Sequence, residues 1–234
     1  MNWLLPRKCL IALAALSAAA GGPAPAAAQE AAAAPTEAFV SGFFRFDYDS
    51  FGLQLWAGAT HQVGGMQILT DVYVTNSFGE MDFGPQVQLG SVTLILTVGP
   101  VFDFTSQDVV GLVAPLLTTI YDSPSLYFES WLEMTFGSTF VDGAEDLFHT
   151  RNFALYKVNP TLWIGPQVEV NYGFTQADKI TSLPVGGQIS LGYGKESRLS
   201  VFLGYETEEP IDPTTGEATD SDRLAGRFTF VRVW

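Results

Sequence analysis

The chain closes on Arg223-Leu-Ala-Gly-Arg-Phe-Thr-Phe-Val-Arg-Val-Trp234, in which Leu224, Phe228, Phe230 and Trp234 share one face and Arg227 takes the other. A period of two is the signature of a strand with two unlike faces, and no 3.6-residue stripe competes with it. The stretch stops on an aromatic residue, inside the alternation.

The same alternation runs back through the chain. In Glu80 to Leu89, Met81, Phe83, Val87 and Leu89 oppose Glu80, Asp82, Gln86 and Gln88. In Ser125 to Phe136, Leu126, Phe128, Leu132, Met134 and Phe136 oppose Tyr127, Glu129, Trp131, Glu133 and Thr135. In Thr161 to Tyr172, Leu162, Ile164, Val168, Val170 and Tyr172 oppose Trp163, Gln167, Glu169 and Asn171. The spacing predicts twelve strands, near 38–48, 51–61, 66–75, 80–89, 92–104, 109–121, 125–136, 148–157, 161–172, 184–193, 198–206 and 223–234. Ten is the alternative if one hairpin is miscounted. Most of these strands suit the roughly 9–11 residues that cross a bilayer at a tilt, whereas soluble strands run nearer 5–6.

The N-terminus adds an address. Arg7 and Lys8 precede an apolar run from Cys9 to Ala20, and Ala26-Ala27-Ala28 supplies a cleavage site before Gln29. Residues 1–28 are therefore expected to be a cleaved signal peptide, 29–36 a flexible leader, and 37–234 one all-β domain. The apolar run falls short of the roughly 20 residues a spanning helix needs. Cleavage removes Cys9, the one cysteine, and with it disulfide and thiol chemistry.

Together these features resemble the bacterial outer-membrane β-barrels, whose last strand carries an aromatic-terminated insertion signal and pairs with the first. Phe228, Phe230 and Trp234 match that signature, and Arg232 departs from the apolar or tyrosine residue usual at its place. The resemblance implies a closed antiparallel up-and-down barrel in the outer membrane, with outer-membrane lipids and the barrel-insertion machinery as partners. Connections support the same reading. One set is brief: Gln62-Val-Gly-Gly65, Gly90-Ser91, Asp122-Ser-Pro124, Val158-Asn-Pro160 and Gly194-Lys-Glu-Ser197. The long connections, 137–147, 173–183 and 207–222, all fall on the opposite side, as long extracellular loops do. Tyr48, Phe51, Phe83, Phe104, Phe136, Tyr172 and Tyr205 share the apolar phase near that side, with Tyr193 and Trp234 near the other, as interfacial girdles require.

Charge excludes one class of partner. Without Arg7 and Lys8 the chain keeps 25 acidic residues against 9 basic ones, a formal charge of −16 that repels nucleic-acid phosphates. Catalysis finds little support. His61 adjoins a short turn, and His149, with Ser130 and Ser138 nearby in sequence, lies in no pattern of the barrel lipid hydrolases. The acidic stretch 206–222 lacks the ordered ligand spacing of a calcium loop. No cofactor, metal site or catalytic residue is expected. Gly84-Pro-Gln-Val87 recurs as Gly165-Pro-Gln-Val168, most simply as a shared bulge. Pro85, Pro100, Pro115 and Pro166 each remove a ladder donor within an expected strand.

With the apolar face outward, the lumen is expected to carry Arg45, Asp47, Asp71, Asp82, Asp103, Glu129, Glu133, Glu169, Arg198 and Arg227, together with Tyr73, Trp131 and Trp163. Its arginines fall on the first and the last two strands, which closure makes neighbours, and most of its acids on the opposite arc. Such a lumen suits a narrow porin-like channel for small cationic or zwitterionic solutes. An ion-pair network filling the barrel is the competing arrangement, which would make it a structural or adhesion barrel. A lipid-modifying enzyme is a more distant third. Solute identity and oligomeric state are not encoded in any feature of the sequence.

Overall fold

The computed structural model describes residues 38–49, 52–194, 196–208 and 223–234. The expected signal peptide, the leader, Phe51 and most of the last acidic loop lie outside the described residues. The strands are β1 (Ala38–Asp49), β2 (Gly52–Val63), β3 (Met66–Val74), β4 (Phe78–Leu89), β5 (Val92–Asp103), β6 (Val109–Asp122) and β7 (Leu126–Phe136). They continue as β8 (Asp146–Lys157), β9 (Leu162–Gly173), β10 (Lys179–Ser182), β11 (Pro184–Tyr193), β12 (Ser197–Glu206) and β13 (Leu224–Val233).

Each pairs antiparallel with its sequence neighbour, and β13 returns to β1. β10 and β11 are two pieces of one wall strand, because Ser182 opposite Asn171 and Val185 opposite Val168 keep one register along β9. The wall is thus a closed barrel of twelve strands, so the ten-strand alternative falls. The interruption is Leu183, just before Pro184, which has no N–H to donate. Glu206 accepts the Leu183 N–H at 2.6 Å and the Ser182 hydroxyl at 2.6 Å, satisfying the exposed break. The expected loop 173–183 is therefore partly strand.

Burial is inverted relative to a soluble protein. Leu203 is 60% exposed and Leu89 59%, while Asp82 is 2% and Arg151 3% exposed. The apolar phase lines the outer surface and the polar phase fills the inside, the distribution a barrel in lipid requires. Among the described residues no helix is long and apolar enough to cross a membrane.

The two rims differ. The terminal rim holds the ends of β1 and β13 and only short turns. Leu89 pairs with Val92 there, leaving Gly90 and Ser91 as the whole turn, and Gly90 takes φ 63°, a left-handed value that favours glycine. Outward rings at this rim include Phe39, Tyr156, Tyr193 and Trp234, a fuller girdle than the sequence alone indicated. At the loop rim Tyr48, Phe104 and Tyr205 stand exposed, whereas Phe83 sits in the middle of β4 and leaves that ring.

Prolines are absorbed in two ways. Register shifts flank Pro100 and Pro115, as bulges do. The Gly-Pro-Gln-Val pair behaves otherwise, and the expected bulge is absent. Phe83–Val98 and Gln86–Ile95 keep one register across Pro85, as Phe153–Gln167 and Tyr156–Ile164 do across Pro166. What the two copies share is close approach. A Cβ on Gly84 would lie 1.9 Å from the Leu96 carbonyl oxygen, and one on Gly165 1.8 Å from that of Ala154.

The closing seam is short. β1 and β13 pair over Phe43–Tyr48, six partners, against eleven for β1 and β2. Beyond that ladder Gly42 and Trp234 exchange two backbone hydrogen bonds of 2.9 and 3.0 Å. The missing side chain of Gly42 admits the indole, since a Cβ there would meet Trp234 at 2.8 Å. Outside the barrel Phe46 packs against Phe228 and Phe230, each with ring centroids 5.7 Å away. Arg232 lies on the lipid side near the rim, where it reaches Glu196 of the preceding turn at 3.8 Å.

Candidate functional site

The strand phase sends the lumen charges to one level, the waist. Arg45 and Asp47 stand two apart on β1, so they share a face. From the far wall β7 supplies Glu129 and Trp131, and β8 supplies Arg151. Arg45 donates to Asp47 and reaches Glu129 at 3.2 Å, while Arg151 reaches Asp47 at 3.0 Å. Glu129 also accepts the Tyr127 hydroxyl and lies 3.6 Å from Arg198 of β12. β1 and β7 face each other in the ring, so these bonds span the lumen from wall to wall.

Arene faces complete the layer. The Arg45 and Arg151 guanidinium carbons lie 4.3 and 3.9 Å from the Trp131 ring centroid. Trp56 meets Trp131 edge-on at 4.6 Å. Such desolvated cation–π contacts are each worth roughly 0.5–2 kcal/mol. Arg45, Asp47 and Glu129 are all within 6% of full burial. A second tier towards the loop rim pairs Arg227 with Asp49 at 2.6 Å and with Glu169.

Apolar packing fills the arc beside the waist. Val101, Val113 and Leu116 cluster against Trp56 and Trp131. Tyr127, Phe153 and Leu155 cluster against Ile120 and Trp163. Below the waist a cavity of about 410 Å³ runs from turn residues of the terminal rim, Pro160, Gly194 and Glu196, up to Arg45, Glu129 and Trp131.

Most of the lumen residues expected from sequence lie inside the barrel, with one correction. Asp103 takes the inward phase, but at the very end of β5, where it accepts the Thr105 and Ser106 N–H groups at 2.8 and 2.6 Å. It caps a rim turn and does not line the lumen. The expected division into a basic seam and an acidic wall is also incomplete: Asp47 and Asp49 sit in the seam and Arg151 in the far wall. Arg151, Glu80 and Asp49 were missed among the lumen charges. For Glu80 the strand phase alone would have sufficed. Arg151 was hidden because β8 turns Phe153 and Leu155 inward, and Thr150 and Asn152 outward. Those outward groups satisfy one another, Ser130 donating to Asn152 at 2.6 Å and Asn152 to Thr150 at 2.8 Å, as lipid demands.

Among the described residues neither histidine hydrogen-bonds a serine. His149 bonds Asn171 at 2.6 Å, Ser138 bonds Asp146 at 2.8 Å, and Ser130 faces the opposite side of the wall from His149. His61 lies edge-on to Phe39, 6.4 Å between centroids, on the outer surface. Among the described residues no group of three His, Cys, Asp or Glu side chains is placed to hold a metal ion.

Outside the lumen, one loop contact stands out. Glu145, before β8, accepts from the Thr175 hydroxyl and from the N–H groups of Thr175, Gln176 and Ala177. Burial opposes ionisation there, yet these donors together hold the carboxyl down at about 2.

No protein-family model matches the chain, and no curated protein matches it. Solved structures do. The NanC porin aligns with a TM-score of 0.50 at 10% identity, covering 82% of this chain and 98% of that one. The KdgM porin aligns with a TM-score of 0.50 at 11% identity over the same shares. At such identities the likeness establishes the fold, that of outer-membrane porin barrels.

Proposed function

We propose that this protein is an outer-membrane channel of low conductance, closed at its waist by ion pairs that span the lumen. The observation that carries this reading is that opposite walls meet through Arg45–Glu129 and Arg151–Asp47, charge against charge. Apolar walls that met would expel water and stay shut. Parted guanidinium and carboxylate groups are strongly hydrated, so a waist of ion pairs can exchange its partners for water and solute.

The remaining charge sets a preference. Among the described residues Asp71, Glu80 and Asp82 have no arginine partner, so an opened lumen carries excess negative field. Small cationic or zwitterionic solutes are the expected cargo. At 0.1 M salt the Debye length is about 10 Å, so screening leaves part of the preference in place.

The test is current through folded protein in a planar bilayer under a KCl gradient. The expected outcome is small, intermittent conductance favouring K⁺, more so at low salt, and enlarged by Arg45→Ser with Glu129→Ser. Location is checked by fractionation with the outer membrane and by a gel mobility that changes on boiling. Silence from both the unaltered protein and the double variant would select the second reading, a non-conducting structural barrel. The Val101 and Tyr127 clusters favour that reading.

A further inference from the structure

The wall beside the waist contains an acid pair that nothing in the ion-pair layer uses. Asp71 of β3 and Asp82 of β4 are directly opposite cross-strand partners. Like charges in that arrangement repel. Asp71 is 5% and Asp82 2% exposed, and one Asp71 oxygen and both Asp82 oxygens have no hydrogen-bond partner among the described residues. A buried carboxylate without donors is among the costlier features a fold can carry.

Glycines flank the pair on both sides. Gly58 pairs with Asp71 on β2, and a Cβ on Gly99 of β5 would sit 2.2 Å from an Asp82 oxygen. The space over Gly58 is taken by the Phe43 ring and that over Gly99 by Asp82 itself, so the acid is open on the cavity side alone, at Asp71, where the end of the cavity forms a recess. Asp71 and Thr97, whose hydroxyl is likewise unpartnered, line the 410 Å³ cavity just below the waist. Leu69, Ile95, Leu116 and Trp56 give that end apolar walls, interspersed with Thr60, Gln86 and Thr118.

We propose that this recess binds an organic ammonium ion with an apolar body. The ammonium donates to Asp71 and Thr97, Asp82 adds its charge from behind, and the hydrocarbon lies along Leu69, Ile95 and Leu116. A bare divalent ion is a poorer fit, since no three acidic side chains converge as ligands among the described residues. Three rotating N–H donors suit a carboxylate and a hydroxyl without demanding fixed geometry. The inference deepens the channel reading by naming its cargo class and rests on it for transport, though not for binding.

The experiment titrates phenethylammonium, with 2-phenylethanol as its uncharged counterpart, into the folded full-length barrel in detergent. Trp fluorescence and calorimetry supply the readouts. Saturable binding of the ammonium is expected, at least tenfold tighter than the alcohol. Asp71→Asn should weaken it by about 10-fold to 100-fold, the worth of a hydrogen bond to a charged group, and Asp82→Asn, which acts by charge alone, should weaken it by less. Glu208→Gln should leave it unchanged. Equal affinity for amine and alcohol overturns the proposal, as does binding indifferent to Asp71 and Asp82; both would mean the pair is neutralised by protons or the probe merely enters micelles. Should a variant fail to fold, the ratio of amine to alcohol on the unaltered protein decides alone. Binding without conductance keeps the site and removes the channel; conductance without binding does the reverse.

Discussion

Arg45 and Glu129 are 84 residues apart in the chain and meet only because the lumen is spanned. A double-mutant cycle on Arg45→Gln and Glu129→Gln measures that meeting directly. Both side chains are nearly buried, 8% and 6% exposed, so solvent screens the pair little. A hydrogen bond to a charged group is worth roughly 1.5–3 kcal/mol. Each partner keeps a second contact after the other is removed, Arg45 to Asp47 and Glu129 to Arg198 and Tyr127. The lower end therefore applies, a coupling of about 1.5 kcal/mol, a little over tenfold in the unfolding equilibrium. Urea titration of the barrel in lipid vesicles, followed by Trp fluorescence, reads all four corners of the cycle. Each single variant should be destabilised by more than the coupling, because the altered residue also gives up its own second contact. A coupling of zero would mean that the two walls do not touch and that the waist is open.

Three further outcomes follow from local geometry. Deleting Trp234 removes both hydrogen bonds to Gly42 and the indole above it, so the yield of heat-modifiable barrel should fall; unchanged assembly would make the terminal aromatic incidental. Gly165→Ala drives a Cβ into the Ala154 carbonyl and should cost roughly 1–3 kcal/mol in urea unfolding, while Gly187→Ala, whose nearest atom is 3.9 Å away, should stay within about 1 kcal/mol. The Glu145 carboxyl is depressed in the folded state, so its contact is complete above the ordinary value of 4.5 and is lost as pH falls through about 2. Amide shifts of Gln176 should titrate near 2, and a midpoint near 4.5 would mean that the Glu145 carboxyl does not accept from these donors.

Strand number and phase were legible in the sequence because lipid outside and charge inside force an alternation that survives nearly everywhere. β8 escaped for a physical reason. A narrow barrel packs part of its interior with hydrocarbon, so Phe153 and Leu155 belong inside, and a polar group that bonds its neighbour, such as Asn152, is tolerated outside. Alternation then carries no sign, and with His149, Arg151 and Asn152 in one strand the sequence assigns Arg151 to neither face. Asp103 failed differently, since inward phase at a strand end is not the same as depth. The meeting of Arg45 with Glu129 lay beyond any reading of one strand, because it depends on the diameter across which two correct faces look at each other.

The ladder between β1 and β13 is the shortest among those closing the wall in the described residues, and it joins the first strand to the last. The barrel therefore has a fault line. Elsewhere a strand is tethered to both neighbours by turns, but here six residue pairs, the Gly42–Trp234 bonds, the Phe46 stack and the Arg227–Asp49 ion pair hold the two strands without one. Amides along Phe43–Tyr48 that face β13 should exchange first, and a partly unzipped barrel would present these two edges, and no others, to a neighbouring chain.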